Sequence, residues 1–421
     1  MIRPLATAAQ APGRLPTLSM AIVLVLLIAA KSPDAFTLPQ FWAEDALIFF
    51  HQQWGQFWPP VTTTYAGYLH TIPRLIAWLA SLLPAVHAPL VYASAALLST
   101  TCSLWYFARK LGTWQLAIIA AGGVLLTPTN VEVFGVMTNI QWFLQFVLVA
   151  ACFAPLSRPA WRGPMMLAVL LIALTGPFST MLACIHLGAV LAATLCGRWA
   201  RLAWLPAYVR SLDRGRLAML WLGGIIQILA LKLGAQPPSV DISVHTMLAA
   251  LASMTQTHTF GMHLLPPFLF GPLLALLPVV TLLCGRIPHS TRGLLAAAWA
   301  LALLQIIAGA SKPGLLAESV GVGDRYMVLF KPMFWMLLYV ALVSCLPLRR
   351  GTPAFVIVLT AMLVLAATHR HQLRRPPMPD QHWRQAIAEA QSGRGAIIPV
   401  NPHPWQLKLP PRPHQHETHR P

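Results

Sequence analysis

The sequence predicts an all-α polytopic membrane protein of about eleven transmembrane helices, with interfacial helices in its first outer loop. Three observations carry this. Of 421 residues, 57% are hydrophobic and 10% charged, whereas soluble domains carry about 25% charged residues. The hydrophobic residues fall in blocks long enough to cross a bilayer, which takes roughly 20 apolar residues per helix. Lys and Arg sit mostly between those blocks, where they act as topology signals.

Taken in order, Arg3 and Arg14 precede the apolar run SMAIVLVLLIAA. No A-x-A-like cleavage site follows, and many spans come after, so this is a retained first helix rather than a signal peptide. The spans expected are 17–33, 88–108, 114–128, 139–156, 163–176, 179–196, 217–234, 266–284, 292–310, 327–347 and 353–368. The stretch 65–86 is apolar enough to cross but carries His70, Pro73 and Arg74. The positive-inside rule decides its role. If it stays in the interface, then Arg109/Lys110, Arg158/Arg162, Arg198–Arg216, Arg286/Arg292 and Arg349/Arg350 all share the cytoplasmic side with the N-terminus. The transmembrane unit is thus 1–368, with a first outer loop at 34–87. The tail 369–421 is rich in Pro, His and Arg and is expected on the outer side. It holds a short helix near 380–392 and a disordered end.

Composition also excludes. A formal net charge of +18 suggests nucleic acid in a soluble chain, but here the arginines are loop signals and no nucleic-acid module is present. The six cysteines show no CxxC spacing, so neither disulfides nor a cysteine metal site is expected.

The eleven acids sort on their own. With orientation set by Lys and Arg alone, Asp34, Glu44, Asp45, Glu132, Asp241, Glu318, Asp324 and the tail acids fall outside, and only Asp213 inside. Chemistry is therefore expected at the outer face. Within FWAEDALIFF, the adjacent Glu44 and Asp45 are wrapped in aromatics. Residues 42–54 fit an amphipathic helix lying in the interface, anchored by Trp42, Trp54, Phe57 and Trp58. Neighbours on a helix project about 100° apart, so the two carboxylates do not reach one atom from an unbroken helix. A desolvated carboxylate becomes a better base near neutral pH; the pair also suits a helix first turn.

Three further constellations stand out. VGVGDRYMVLFKP carries Asp324, Arg325 and Tyr326, after Lys312 and Glu318; an Arg there can hold a phosphate bidentately. Arg74 lies in an apolar stretch, where it needs a carboxylate or a lipid phosphate; Glu44, Asp45 and Glu132 are the acids in reach. The segment TPTNVEVFGVMTNIQWFLQF places Glu132, Asn139 and Gln141 beside Trp142, amides and a ring that suit sugar hydroxyls. Tyr65 and His70 join the same outer set. His186 is expected as a hydrogen-bonded core histidine.

A short cytoplasmic N-terminus, one span, a long outer loop with an acidic pair, and about ten more spans resemble the GT-C superfamily of integral-membrane glycosyltransferases. The resemblance sits at FWAED, with YAGYLHTIPR and GDRY in support, and is similar to a bacterial branch whose donors are polyprenyl-phosphate sugars. It implies a multi-pass protein of the bacterial inner membrane with its active site on the periplasmic side. Glu44 or Asp45 would be the base that deprotonates a glycan or lipid acceptor. Polyprenyl phosphate would leave with inversion at the anomeric carbon. Its charge would be met by Arg325, Arg74 or Lys312, or by a divalent cation such as Mg or Mn; the first loop lacks a DxD. Membrane lipid and the donor's polyprenyl tail are the other implied partners. The competing classes are a transporter or flippase for a lipid-linked substrate, and a noncatalytic scaffold. Almost uncharged span interiors disfavour ion-coupled transport.

Overall fold

The structure is a computed structural model that describes residues 17–155, 159–233, 244–310, 323–345 and 351–410. Lys312, Glu318, Asp241, Arg349, Arg350 and the end of the tail lie outside the described residues. Within them the chain is mainly a helical bundle. Five helices are long and apolar enough to cross a membrane: Ala85–Lys110, Phe178–Cys196, Arg214–Leu233, His289–Gly309 and Asp324–Cys345. Shorter apolar helices are Ser19–Ala29, Trp114–Leu125, Met137–Phe153, Pro159–Ala173, Phe268–Leu283 and Thr352–Thr368. Each expected span thus corresponds to an apolar helix, six of them shorter than a full crossing.

The bundle core is built from helices with little sidedness, because their outer faces are apolar as well. Phe107 on the Ala88–Lys110 helix meets Phe146 on the Gln141–Phe153 helix, ring centroids 5.2 Å apart. Trp299 lies against Phe330 at 5.1 Å. Outward-facing Leu26, Leu98, Leu195, Ile225 and Val364 are all exposed, as apolar side chains facing lipid would be. His186 accepts from Trp221 Nε1 at 3.2 Å, matching the expected hydrogen-bonded histidine.

The two ends of the bundle differ. At one end the basic clusters meet. Arg162 Nε lies 3.1 Å from Asp213 Oδ2 and Arg216 Nε 3.6 Å from Oδ1. Lys110 Nζ donates to the Pro155 carbonyl at 3.0 Å, and Tyr208 to that of Phe153 at 2.7 Å. Arg292 stacks over Trp204 at 4.8 Å. At the other end lie Asp34, Glu44, Asp45, Glu132 and Asp324. Here Lys31 donates to the Thr127 carbonyl at 3.1 Å, Thr71 N to Leu174 at 3.2 Å and Thr129 N to Gln372 at 2.8 Å. The sorting of charges read from sequence is therefore a sorting between the ends of one bundle.

The segment 65–86 yields a helix over Thr71–Ser81 of 11 residues, about 16 Å long at 1.5 Å per residue and too short to cross. Three expectations are corrected. The stretch 42–54 does not lie on the surface: Phe41, Trp42, Asp45, Ala46, Phe49 and Phe50 are buried, because their rings pack on Tyr92 and Trp383. Phe57 and Trp58 remain exposed. The stretch between the expected spans 217–234 and 266–284, where no helix was expected, holds one at Val244–Phe260, whose Thr, Gln and His residues hid it from an apolar count.

The third correction concerns the tail. It forms the expected short helix, Trp383–Glu389, and then an antiparallel hairpin pairing Ala396–Pro399 with Gln406–Leu409. An all-α description does not contain that hairpin. The tail is clamped to the first loop. Arg375 grips Asp34 through Nη2–Oδ2 at 2.6 Å and Nε–Oδ1 at 3.1 Å. Trp383 meets Phe41 at 4.7 Å, and Asn401 N donates to the Phe41 carbonyl at 3.3 Å.

Candidate active site at the loop end of the bundle

The acidic pair divides. Asp45 opens a π-helix, Asp45–Phe50, a rare form that often marks functional segments. Its carboxylate turns inward and accepts from Met137 N at 2.9 Å, Thr138 N at 2.7 Å and Thr138 Oγ1 at 2.5 Å. It thereby caps the turn Met137–Ile140, whose first amides have no partner within the turn. Burial pushes its carboxyl up to about 7, against the pull of those donors. Glu44 faces the other way. It is half-buried, its Oε1 takes the Tyr65 hydroxyl at 3.5 Å, and its Oε2 has no hydrogen-bond partner among the described residues.

Tyr65 is held by a tight reversal. Tyr65 and Tyr68 exchange backbone bonds at 3.0 and 3.2 Å across Ala66 and Gly67, both at positive φ. Gln227 on the Arg214–Leu233 helix grips Leu69 at both N (2.9 Å) and O (3.2 Å). Tyr68 is stacked on His70 at 4.6 Å. Gly176, at φ +92, donates to the Leu69 carbonyl at 3.0 Å, and a Cβ there would meet Gln141 Oε1 at 2.4 Å. The TGPFST turn therefore needs glycine, for its positive φ and for the space Gln141 occupies. Burial raises both phenols, Tyr68 to about 12, and drops His70 to about 3. Those rings are neutral at physiological pH.

Opposite stands the GDRY turn. Arg325 Nη1 lies 3.2 Å from Glu132 Oε2, and Asn130 donates to Glu132 Oε1 at 3.2 Å. Asn139 donates to the Glu132 carbonyl at 2.7 Å. Burial raises the Glu132 carboxyl, with Arg325 opposing and Glu44 adding to the rise. Tyr65 feels both Glu44 and Arg325, so these groups share one electrostatic neighbourhood. Tyr326 meets Trp142 edge-on at 4.7 Å. Asp324 points into the bundle, where it pairs with Lys331, with His258 Nδ1 at 2.9 Å and with Thr129 Oγ1 at 3.3 Å.

Of the residues expected in the site, Glu44, Tyr65, Glu132, Gln141, Arg325 and Tyr326 come together, with Asn139 and His70 supporting them from behind. Asp45 and Asp324 serve structural bonds. Arg74 pairs with none of the acids expected for it. It is buried, bonded to Gln52 Oε1 at 2.8 Å and set over Phe49 at 5.6 Å. The hydrocarbon-rich wrapping of Phe49 draws its stem inward, while Asp45 is already satisfied elsewhere. Sequence reasoning missed Tyr68, Gln227 and Lys331. Tyr68 and Lys331 stand inside YAGYLH and GDRYMVLFK; Gln227 is signalled only as an amide inside an apolar span. Among the described residues, no group of three or more His, Cys, Asp or Glu side chains converges.

No protein-family model matches the chain, and no curated protein matches it.

Proposed function

We propose that the protein is an integral-membrane glycosyltransferase of the GT-C type, taking a sugar from a polyprenyl-phosphate donor to a glycan or lipid acceptor at the outer face of the bacterial inner membrane. The observation that carries this reading is the division of the acidic pair. One carboxylate is spent on structure, and its neighbour presents an oxygen unpartnered among the described residues, beside phenols, amides and an arginine. The three segments of the GT-C resemblance also meet here: Glu44, the Tyr65–His70 turn and Arg325.

In this reading Glu44 takes the proton of an acceptor hydroxyl. The oxygen attacks the anomeric carbon, the bond from that carbon to the phosphate oxygen breaks, and polyprenyl phosphate leaves with the electron pair. Arg325, engaged only through Nη1 among the described residues, has further donors to balance the phosphate, with the planar geometry suited to it. Tyr65, Tyr68 and Gln141 offer hydroxyls and an amide to the sugar. A donor that is half lipid fits a site at the end of a bundle, because its tail stays in hydrocarbon. Whole-cell glycan mass spectrometry tests this. Glu44→Gln should remove the same glycan modification that gene deletion removes, at unchanged protein level. A fully modified Glu44→Gln strain would contradict it.

One observation favours a second reading. Asp324, His258 and Lys331 form a buried ionisable cluster, of the sort proton-coupled transporters use. Under transport, Glu44→Gln is silent and Asp324→Asn abolishes lipid-linked substrate movement without any release of polyprenyl phosphate.

A further inference from the structure

A groove of about 410 Å³ lies between the first helix, the Trp114–Leu125 helix and the Thr352–Thr368 helix. Its walls are apolar, with Leu24, Leu27, Ala121 and Leu125 among them, and charge is confined to Lys31 and Arg374. Lys31 follows the last turn of the first helix, and Arg374 follows the end of the Thr352–Thr368 helix, so both cations belong to the loop end. Arg374 is exposed and has no carboxylate partner among the described residues. Lys31 gives one bond to the Thr127 carbonyl and lies 5.4 Å from the Phe134 ring.

Length narrows the occupant. Along the first helix the lining runs from Met20 to Ala30, about 15 Å at 1.5 Å per residue. That is one leaflet's share of a hydrocarbon core roughly 30 Å thick. A long polyprenyl chain would overrun it. The lining also shares no residue with the Glu44 site.

We propose that this groove binds an anionic phospholipid, one acyl chain lying along the first helix and the phosphate held at Arg374 with Lys31 behind it. Apolar burial alone does not distinguish headgroups; the exposed guanidinium of Arg374 does, with Lys31 buried behind it. A basic residue near an anionic lipid surface favours it about fivefold.

The test uses the full chain in nanodiscs of equal phosphatidylglycerol and phosphatidylcholine, with lipids retained after detergent release read by native mass spectrometry. One phosphatidylglycerol per chain should be retained in preference to phosphatidylcholine. Arg374→Gln should lower that preference about fivefold, and Arg374→Glu further. Arg384→Gln, an exposed arginine elsewhere on the tail, should leave it unchanged. Ala121→Phe, which fills the groove, should remove the retained lipid. Equal retention of both lipids, which is what an unselective annular shell gives, overturns the proposal. So does a preference unchanged in Arg374→Glu. The arginine variants lie at exposed positions, so they decide the matter even if Ala121→Phe does not fold.

Discussion

At the basic end of the bundle, Arg162, Arg216 and Lys110 tie short turns together, and their bonds go to one aspartate and to backbone carbonyls. At the loop end, carboxylates outnumber the arginines that meet them, and several polar groups are buried. Asp213 is met by two arginines; Glu44 keeps an oxygen without a partner among the described residues. Ends that face the same demand, closing helices at a membrane boundary, have thus been closed in different ways. The basic end gathers its charges around one aspartate and the carbonyls of Ala154 and Pro155. The loop end leaves one carboxylate unspent and recruits the distant tail to hold the loop that carries it.

The comparison is sharpened by substitutions at each end. The largest effect is expected for Glu44→Gln: a fall in sugar transfer of about 10²- to 10⁴-fold, the range for a lost general base, with an unchanged thermal unfolding curve. Arg375→Ala removes one partner of a mostly buried ion pair and strands Asp34, so about 3 kcal/mol of stability should go. Limited proteolysis should then cut the tail, whose grip on the first loop it releases. Asp45→Ala leaves three donors without an acceptor and should lose about 3 kcal/mol, at roughly 1 kcal/mol each, seen as a lower unfolding temperature in detergent. At the basic end, Arg216→Met should lower stability by about 1–2 kcal/mol, because Asp213 keeps Arg162, and leave transfer unaffected.

A further effect is on pH. Asp45 titrates near 3.8 when unfolded and near 7 when folded. The native state therefore holds a proton that the unfolded chain releases. Stability from this group should fall as pH rises from about 4 to about 7 and stay flat beyond both limits. Asp45→Asn, which cannot titrate, should remove that slope in unfolding measured against pH.

Much of this plan was readable from residues. Apolar blocks marked the helices because a lipid-facing helix is apolar all round, and Lys and Arg placement separated the ends before any contact was known. What escaped has physical reasons. The Val244–Phe260 helix buries Gln256 and His258 against the bundle, so its polarity resembles a loop. The Asp34–Arg375 pair joins positions 341 residues apart, beyond any local pattern. The hairpin's strands are four residues each and bracketed by prolines, below what alternation can reveal. Adjacency in FWAED flagged the acidic pair, but only the turn at Met137–Ile140 determines which carboxylate is consumed by structure.

The central claim is that two neighbouring carboxylates do different work. It is tested most directly by assaying purified wild type, Glu44→Gln and Asp45→Asn side by side in nanodiscs. A panel of polyprenyl-phosphate sugars serves as donors, and release of polyprenyl phosphate is followed together with thermal unfolding. The account predicts release by wild type and by Asp45→Asn, and release about 10²- to 10⁴-fold slower by a normally stable Glu44→Gln. Undiminished turnover by Glu44→Gln, with Asp45→Asn folded but inactive, would contradict it.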